Sequence, residues 1–383
     1  MGIAFIDLQA QRARIADKID ASIARVLDHG RFVMGPEVAA FEDAMSAFSG
    51  AQHTISCGNG TDALALPLMA WGLRPGDAVF CPSFTFTATA EVVPWLGAAP
   101  VFVDIDPETY NIDPASLKAA IEDVQAKGEL KPKAIIAVDL FGQPADYPAI
   151  KALADKHGLK LIADSAQGFG CTLHGQHPIA WADVVTTSFF PAKPLGCYGD
   201  GGAIQTNDAS FAELLDSLRI HGKASQADMD AADFKGHEAK YLNPRIGMNS
   251  RLDTMQAAVL LEKIAIFADE IRLRQEVADR YNESLANHVL QTPSVIEGGQ
   301  SVWAQYTIEV EDRDAFQTKL RDQDVPTAVY YPVPMHEQPP YRRFPTAPGG
   351  LPVTEAKKAT VVSLPMHPYL DGETQNKIIG AVA

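Results

Sequence analysis

Several things are scarce in this chain of 383 residues, and each scarcity narrows what it does. There are four cysteines, Cys57, Cys81, Cys171 and Cys197, and none forms a Cys-x-x-Cys pair. That excludes a disulfide scaffold and the usual zinc spacings, and fits reduced thiols in a cytoplasmic protein. No apolar run reaches the roughly 18 residues that mark a membrane span. The segment Met1-Gly2-Ile3-Ala4-Phe5-Ile6-Asp7 lacks the basic and apolar regions of a secretory leader, so a cytoplasmic location is expected. Basic charge is in deficit: 32 Lys and Arg face 48 Asp and Glu, for a net charge of -16. Such a surface repels nucleic acid and anionic lipid, and neither is an expected partner. An anionic ligand would need a local nest of N–H groups and a few placed cations. No long tract of one charge, low-complexity segment or internal repeat appears.

What is present is a large supply of core: 46% of residues are hydrophobic. Residues 8–30 and 36–50 read as amphipathic helices ending at Gly30 and Gly50. From residue 53 the pattern becomes strand, turn, helix, repeated: strands at 53–57, 78–81, 100–104, 134–140, 159–163 and 183–189, with helices at 62–71, 87–95, 114–126 and 147–157. Apolar strands alternating with helices predict an α/β fold with a mainly parallel sheet covered on both faces. After about residue 210 the rhythm slows. Residues 224–240 read as a surface loop and 252–285 as a long helix. Strand-like pieces at 306–310 and 327–331 complete a smaller α+β unit. The expected division is 1–250 for the large domain and 251–383 for the C-terminal one.

Three segments carry chemistry. Gly58-Asn59-Gly60-Thr61-Asp62-Ala63 follows a strand and opens a helix, where exposed N–H groups bind phosphate. Its Gly58-x-Gly60 turn also admits an NAD-dependent oxidoreductase. That reading needs an acidic residue closing the next strand, and Asp77 precedes that strand instead. Asp164-Ser165-Ala166-Gln167 follows an apolar strand and places a carboxylate at a strand end, where open α/β sheets bind ligands. Ser188-Phe189-Phe190-Pro191-Ala192-Lys193-Pro194-Leu195-Gly196 runs from a strand into a proline-stiffened, glycine-rich loop. Apolar surroundings lower a lysine's pKa, and a neutral amine is the nucleophile of Schiff-base chemistry. Together the three segments meet the demands of pyridoxal phosphate (PLP). Gly60, Thr61 and Ser188 offer phosphate donors, Asp164 a partner for the pyridine nitrogen, and Lys193 an amine for the aldehyde.

With these residues in place, the chain resembles the DegT/StrS family of PLP-dependent sugar aminotransferases, over nearly its whole length. The resemblance rests also on Phe32-Val33-Met34-Gly35-Pro36-Glu37, Pro82-Ser83-Phe84-Thr85-Phe86, Arg219-Ile220-His221-Gly222, Asn249-Ser250-Arg251-Leu252-Asp253, Tyr330-Tyr331-Pro332-Val333-Pro334 and Ser363-Leu364-Pro365. It implies the type I, aspartate-aminotransferase-like fold. It implies that Lys193 forms the Schiff base and shuttles the proton, that Asp164 pairs with the pyridinium nitrogen, and that Gln167 lies near the ring oxygen. Phe86 is then the residue stacked on the ring. Gly60, Thr61 and Ser188 hold the phosphate, and Asn249 reaches it from a second subunit, so a homodimer with shared sites is implied. Arg251 and Tyr330 fall in segments that line the sugar site. The similarity is greatest to the branch acting on UDP-linked 3-keto hexuluronates with glutamate as amino donor. Three positions depart from the family pattern: Ala163 stands where glutamate is often found, Ser165 where alanine is usual, and Ala192 where glycine often precedes the lysine. A non-catalytic, PLP-binding regulator is the remaining alternative. His174-x-x-His177 reads as a surface turn and not a metal site. The proline-rich segment around His336 reads as an ordered loop, either a substrate lid or a rigid connector.

Overall fold

In the computed structural model, residues 2–231 and 241–383 are described. Part of the 224–240 segment, residues 232–240, lies outside the described residues. The strands in chain order are β1 (His53–Cys57), β2 (Asp77–Pro82), β3 (Ala99–Val103), β4 (Lys131–Val138), β5 (Lys160–Asp164), β6 (Thr172–Leu173), β7 (Val184–Ser188), β8 (Gly202–Thr206), β9 (Gly299–Gln300), β10 (Tyr306–Glu309) and β11 (Val361–Leu364). Seven of them form one sheet in the order β1-β8-β7-β5-β4-β2-β3. The pairs from β7 across to β3 are parallel, while β8 is antiparallel to both β7 and β1. Every residue of β2 and β8 is buried, as strands covered on both faces must be.

Because β8 alone runs the other way, its first residue, Gly202, lies at the same edge as the last residues of β1, β5 and β7. Gly202 pairs with both Cys57 and Ser188. The three segments singled out above therefore converge on one edge of the sheet, the expected ligand edge of an open α/β fold.

The sequence pattern differs from the structure in four places. The expected helix 8–30 is two helices, Leu8–Arg14 and Ala16–His29, broken at Ile15, whose φ of -129° is not helical. A short helix, Gln226–Ala231, occupies part of the expected loop. Residues 327–331 do not form a strand: Ala328 alone bridges to Ser363 of β11. The strands β6, β8, β9 and β11 were not anticipated. The helix Thr254–Leu285 runs 32 residues. Its first half packs Leu260 and Phe267 against Phe41, Phe189 and Leu195 near the sheet. Its second half packs Tyr281 and Leu285 against β10 and β11. The segment after His336 turns back, and Met335, Tyr341 and Leu351 join the core of the sheet.

Candidate active site

Asp164 ends β5 and is buried, at 4% exposure. Its Oδ2 accepts a 2.9 Å hydrogen bond from the Thr89 hydroxyl and its Oδ1 one of 3.2 Å from the Ala166 N–H. Burial raises its pKa above the ordinary carboxylate value, opposed by those two donors and by the charge of Lys193. Lys193 sits in the loop after β7, its N–H bonded to the carbonyl of Phe190. Burial lowers its pKa below the ordinary lysine value, with Asp164 pulling the other way. Lys193 Nζ has no hydrogen-bond partner among the described residues. The structure thus brings together a desolvated carboxylate and a desolvated amine.

The phosphate-binding expectation has a geometric basis. Asn59 caps the helix Gly60–Ala70, its side chain accepting from the N–H of Asp62. The N–H groups of Gly60 and Thr61 have no partner among the described residues, as first-turn donors do not. Gly60 lies so close to β7 that a Cβ there would stand 2.6 Å from Cβ of Ser188 and 3.1 Å from its Oγ. Two free N–H donors and a hydroxyl therefore share one small cradle at a helix N-terminus. Ser250, not singled out from the sequence, fixes the turn: its hydroxyl accepts from the Gly58 N–H at 2.9 Å and donates to Asp62 at 2.6 Å.

Gln167 is buried, with Oε1 accepting from the N–H of Phe141 and Nε2 donating to the Tyr331 hydroxyl at 2.9 Å. Phe86 is not a core residue. It is 52% exposed, and its one close ring neighbour among the described residues is Tyr331, at 6.5 Å. Tyr330, chosen from the sequence, is half-buried beside Tyr331. Tyr331 makes the contacts to Gln167, Phe84 and Phe86. Thr89 was also missed, although its spacing of three from Phe86 and four from Thr85 puts it on their face of a helical turn. Asn249 is exposed and Arg251 half-buried, and neither bonds to the cradle within this chain. His336 is pinned at the end of β2: its N–H and Nδ1 lie 3.1 and 2.7 Å from the Ser83 hydroxyl.

The rival reading of the glycine turn loses its footing. Asp77 opens β2 at the opposite edge of the sheet, and its carboxylate accepts from the Arg74 N–H. His177 packs on Phe48, and no group of three or more metal-ligating side chains occurs among the described residues. All four cysteines are free and buried. No helix among the described residues is long and apolar enough to cross a membrane.

The residues present fit PLP. The cradle matches a phosphate, Asp164 has no ion-pair partner among the described residues where a protonated ring nitrogen would supply one, and Phe86 leaves a ring face open. Fold and site together define a type I PLP-dependent transferase. The chain belongs to the DegT/DnrJ/EryC1/StrS aminotransferase family, whose pattern it matches over residues 13–383. It is 49% identical to a UDP-2-acetamido-2-deoxy-3-oxo-D-glucuronate aminotransferase of Pseudomonas aeruginosa, over 96% of each chain. It is 39% identical to a pleiotropic regulatory protein of Geobacillus stearothermophilus, over 100% of this chain and 98% of that one. The crystal structure of a DegT/DnrJ/EryC1/StrS aminotransferase from Brucella abortus matches with a TM-score of 0.94 at 50% identity, over 99% of this chain and 98% of that one. The protein is a PLP-dependent aminotransferase.

Proposed function

We propose that the chain moves an amino group from glutamate to a nucleotide-linked keto-sugar, a UDP-linked 3-keto hexuluronate, in a homodimer with shared sites. The observation that carries the chemistry is the convergence of Lys193, Asp164 and the Gly60–Ser188 cradle on one sheet edge. The substrate class rests on the similarity to the Pseudomonas aeruginosa enzyme, which covers nearly all of both chains.

When bound, PLP supplies an electron sink conjugated to a reactive aldehyde. The N–H groups of Gly60 and Thr61 and the Ser188 hydroxyl bind its phosphate. Asp164 holds the proton on the ring nitrogen, and the Thr89 hydroxyl fixes the carboxylate that does so. Phe86 covers one ring face, and Gln167, anchored by Phe141 N–H and Tyr331, orients the ring's substituents. Lys193 is the attachment point. Its Nζ, when free, would take the proton from the donor α-carbon and return one in the sugar half of the cycle. Arg251 and Tyr330 contribute to the sugar pocket, and Asn249 reaches the phosphate of the partner's site. The exposure of Asn249 supports the dimer, as does that of Phe32, Val33, Phe190 and Ile246, large apolar side chains that a second subunit would cover.

The test is a two-step spectrum. Glutamate should convert the yellow protein to its pyridoxamine form and release 2-oxoglutarate. UDP-linked 3-keto sugars should then restore the absorbance, the hexuluronate fastest. Restoration by none of them rejects the substrate class.

A further inference from the structure

Lys263 lies in the first third of the helix Thr254–Leu285 and is fully buried, at 0% exposure. Its Nζ donates a 2.6 Å hydrogen bond to the carbonyl of Gly196 and stands 4.4 Å from the centre of the Tyr198 ring. No carboxylate of the described residues lies within ion-pair distance of it. Burial lowers its pKa to about 8, with Glu270 and Cys197 opposing the shift by their charge.

Gly196 is three residues beyond Lys193, in the same loop. That loop folds tightly on itself: a Cβ on Gly196 would lie 2.5 Å from the carbonyl oxygen of Pro191. The N–H of Cys197 bonds back to the carbonyl of Phe189. From the helix side, Lys263 holds Gly196, and Gln256, two turns earlier, accepts from the N–H of Tyr198 at 2.8 Å. Residues seven apart share a helix face, so one face grips the loop at two points.

A buried ammonium held by one carbonyl and one ring face, with no counter-charge, is an expensive way to fill space beside Leu260 and Phe267. A methionine would fill the same slot without burying a charge, at the cost of leaving the Gly196 carbonyl unpaired. A residue that works against stability at the back of a reactive loop points to a role in the reaction. We propose that Lys263 is a positioning residue: by fixing the carbonyl of Gly196 it holds the loop in the form that presents Lys193 Nζ for attachment and proton transfer. This rests on Lys193 being the attachment lysine.

The experiment compares Lys263→Met, Lys263→Arg and Gln256→Ala with the unaltered holoenzyme. Amide hydrogen exchange of residues 190–201 is measured with and without cofactor. The single-turnover rate with glutamate and its α-deuterium isotope effect are measured at saturation, and thermal unfolding is followed alongside. Lys263→Met is expected to speed exchange in 190–201, to slow the single-turnover step about 10²-fold, the size of effect an ångström of misplacement produces, and to enlarge the isotope effect. Its Tm should change little, since the unpaired Gly196 carbonyl offsets the relief of the buried charge, and Lys263→Arg should recover part of the rate. Should Lys263→Met fail to fold, Gln256→Ala, which releases the loop's other anchor, must show the same faster exchange and slower step. Unchanged exchange and rate, or a lower Tm with an unchanged rate, overturns the proposal. A borohydride label on Lys193 in the same preparation keeps the underlying reading intact in that event; a label elsewhere overturns both.

Discussion

Two carboxyls stand side by side behind the site, at the ends of β4 and β5. Asp139 is buried completely and accepts from the Tyr147 hydroxyl at 2.6 Å, from the Ala145 N–H, and from the hydroxyl of Ser165. Ser165 is one of the residues noted above as departing from the family pattern, and its partner accounts for it. Burial pushes the Asp139 carboxyl up to about 7, the three donors opposing and the Asp164 charge adding to the rise. Its native pKa therefore exceeds its unfolded one. The native state holds a proton the unfolded chain has lost between about pH 4 and pH 7, so its contribution to stability is full below that window and lost across it. Asp139→Asn, which keeps the shape, should flatten the fall in stability over that range, as read by urea unfolding at a series of pH values. Lys193 runs the other way. Its lowered pKa in the cofactor-free protein means stability rises with pH up to the ordinary lysine range. Lys193→Met should lack that rise, and an identical slope in both proteins would show that Lys193 is not desolvated. At Thr89, replacement by valine removes one donor to a buried carboxylate and should cost about 1.5–3 kcal/mol, measured by the same unfolding series, and weaken cofactor binding.

Among the elements, the meeting of the helix Gly60–Ala70 with β7 matters most. Gly60→Ala would drive a methyl group to 2.6 Å from Cβ of Ser188, which must move. The expected cost is about 1–3 kcal/mol of stability, together with weaker cofactor binding by equilibrium dialysis. Intact cofactor affinity would mean the cradle is not where the phosphate binds. Asp164 and Lys193 were legible in sequence because local signals mark them: an apolar strand ending in a carboxylate, and a lysine between prolines. The contact of Gly60 with Ser188 was not, since it depends on β8 running antiparallel between β1 and β7, and five residues opened by glycines give little strand signal. Tyr331, next to the chosen Tyr330, was missed for a related reason. Residues 327–331 lack regular strand pairing, so alternation along the chain cannot say which tyrosine faces the site. Lys263 did leave a trace: it falls three after Leu260 and four before Phe267, on the apolar stripe of its helix.

At the scale of the whole molecule, shared sites make a prediction no single-chain argument does. Lys193→Ala and Asn249→Ala homodimers should each be impaired. Mixed under conditions of subunit exchange, they form hybrids in which one site carries both defects and the other has an intact Lys193 and an intact Asn249. Activity should therefore rise on mixing, and no rise would refute Asn249 as the partner's residue. The large unit was legible from the alternation of strands and helices, and the helix Thr254–Leu285 was legible from its period. That this helix serves the lysine loop with one half and the β10–β11 unit with the other was not, because period reports a buried stripe and not what covers it.

The central claim is that Lys193 carries the cofactor. Borohydride reduction of the PLP-loaded protein, followed by proteolysis and mass spectrometry, tests it directly. The expected result is one pyridoxyl-modified peptide, with the label on Lys193, and none in Lys193→Ala. A label on another lysine, or none at all in a protein that still turns over, would contradict it.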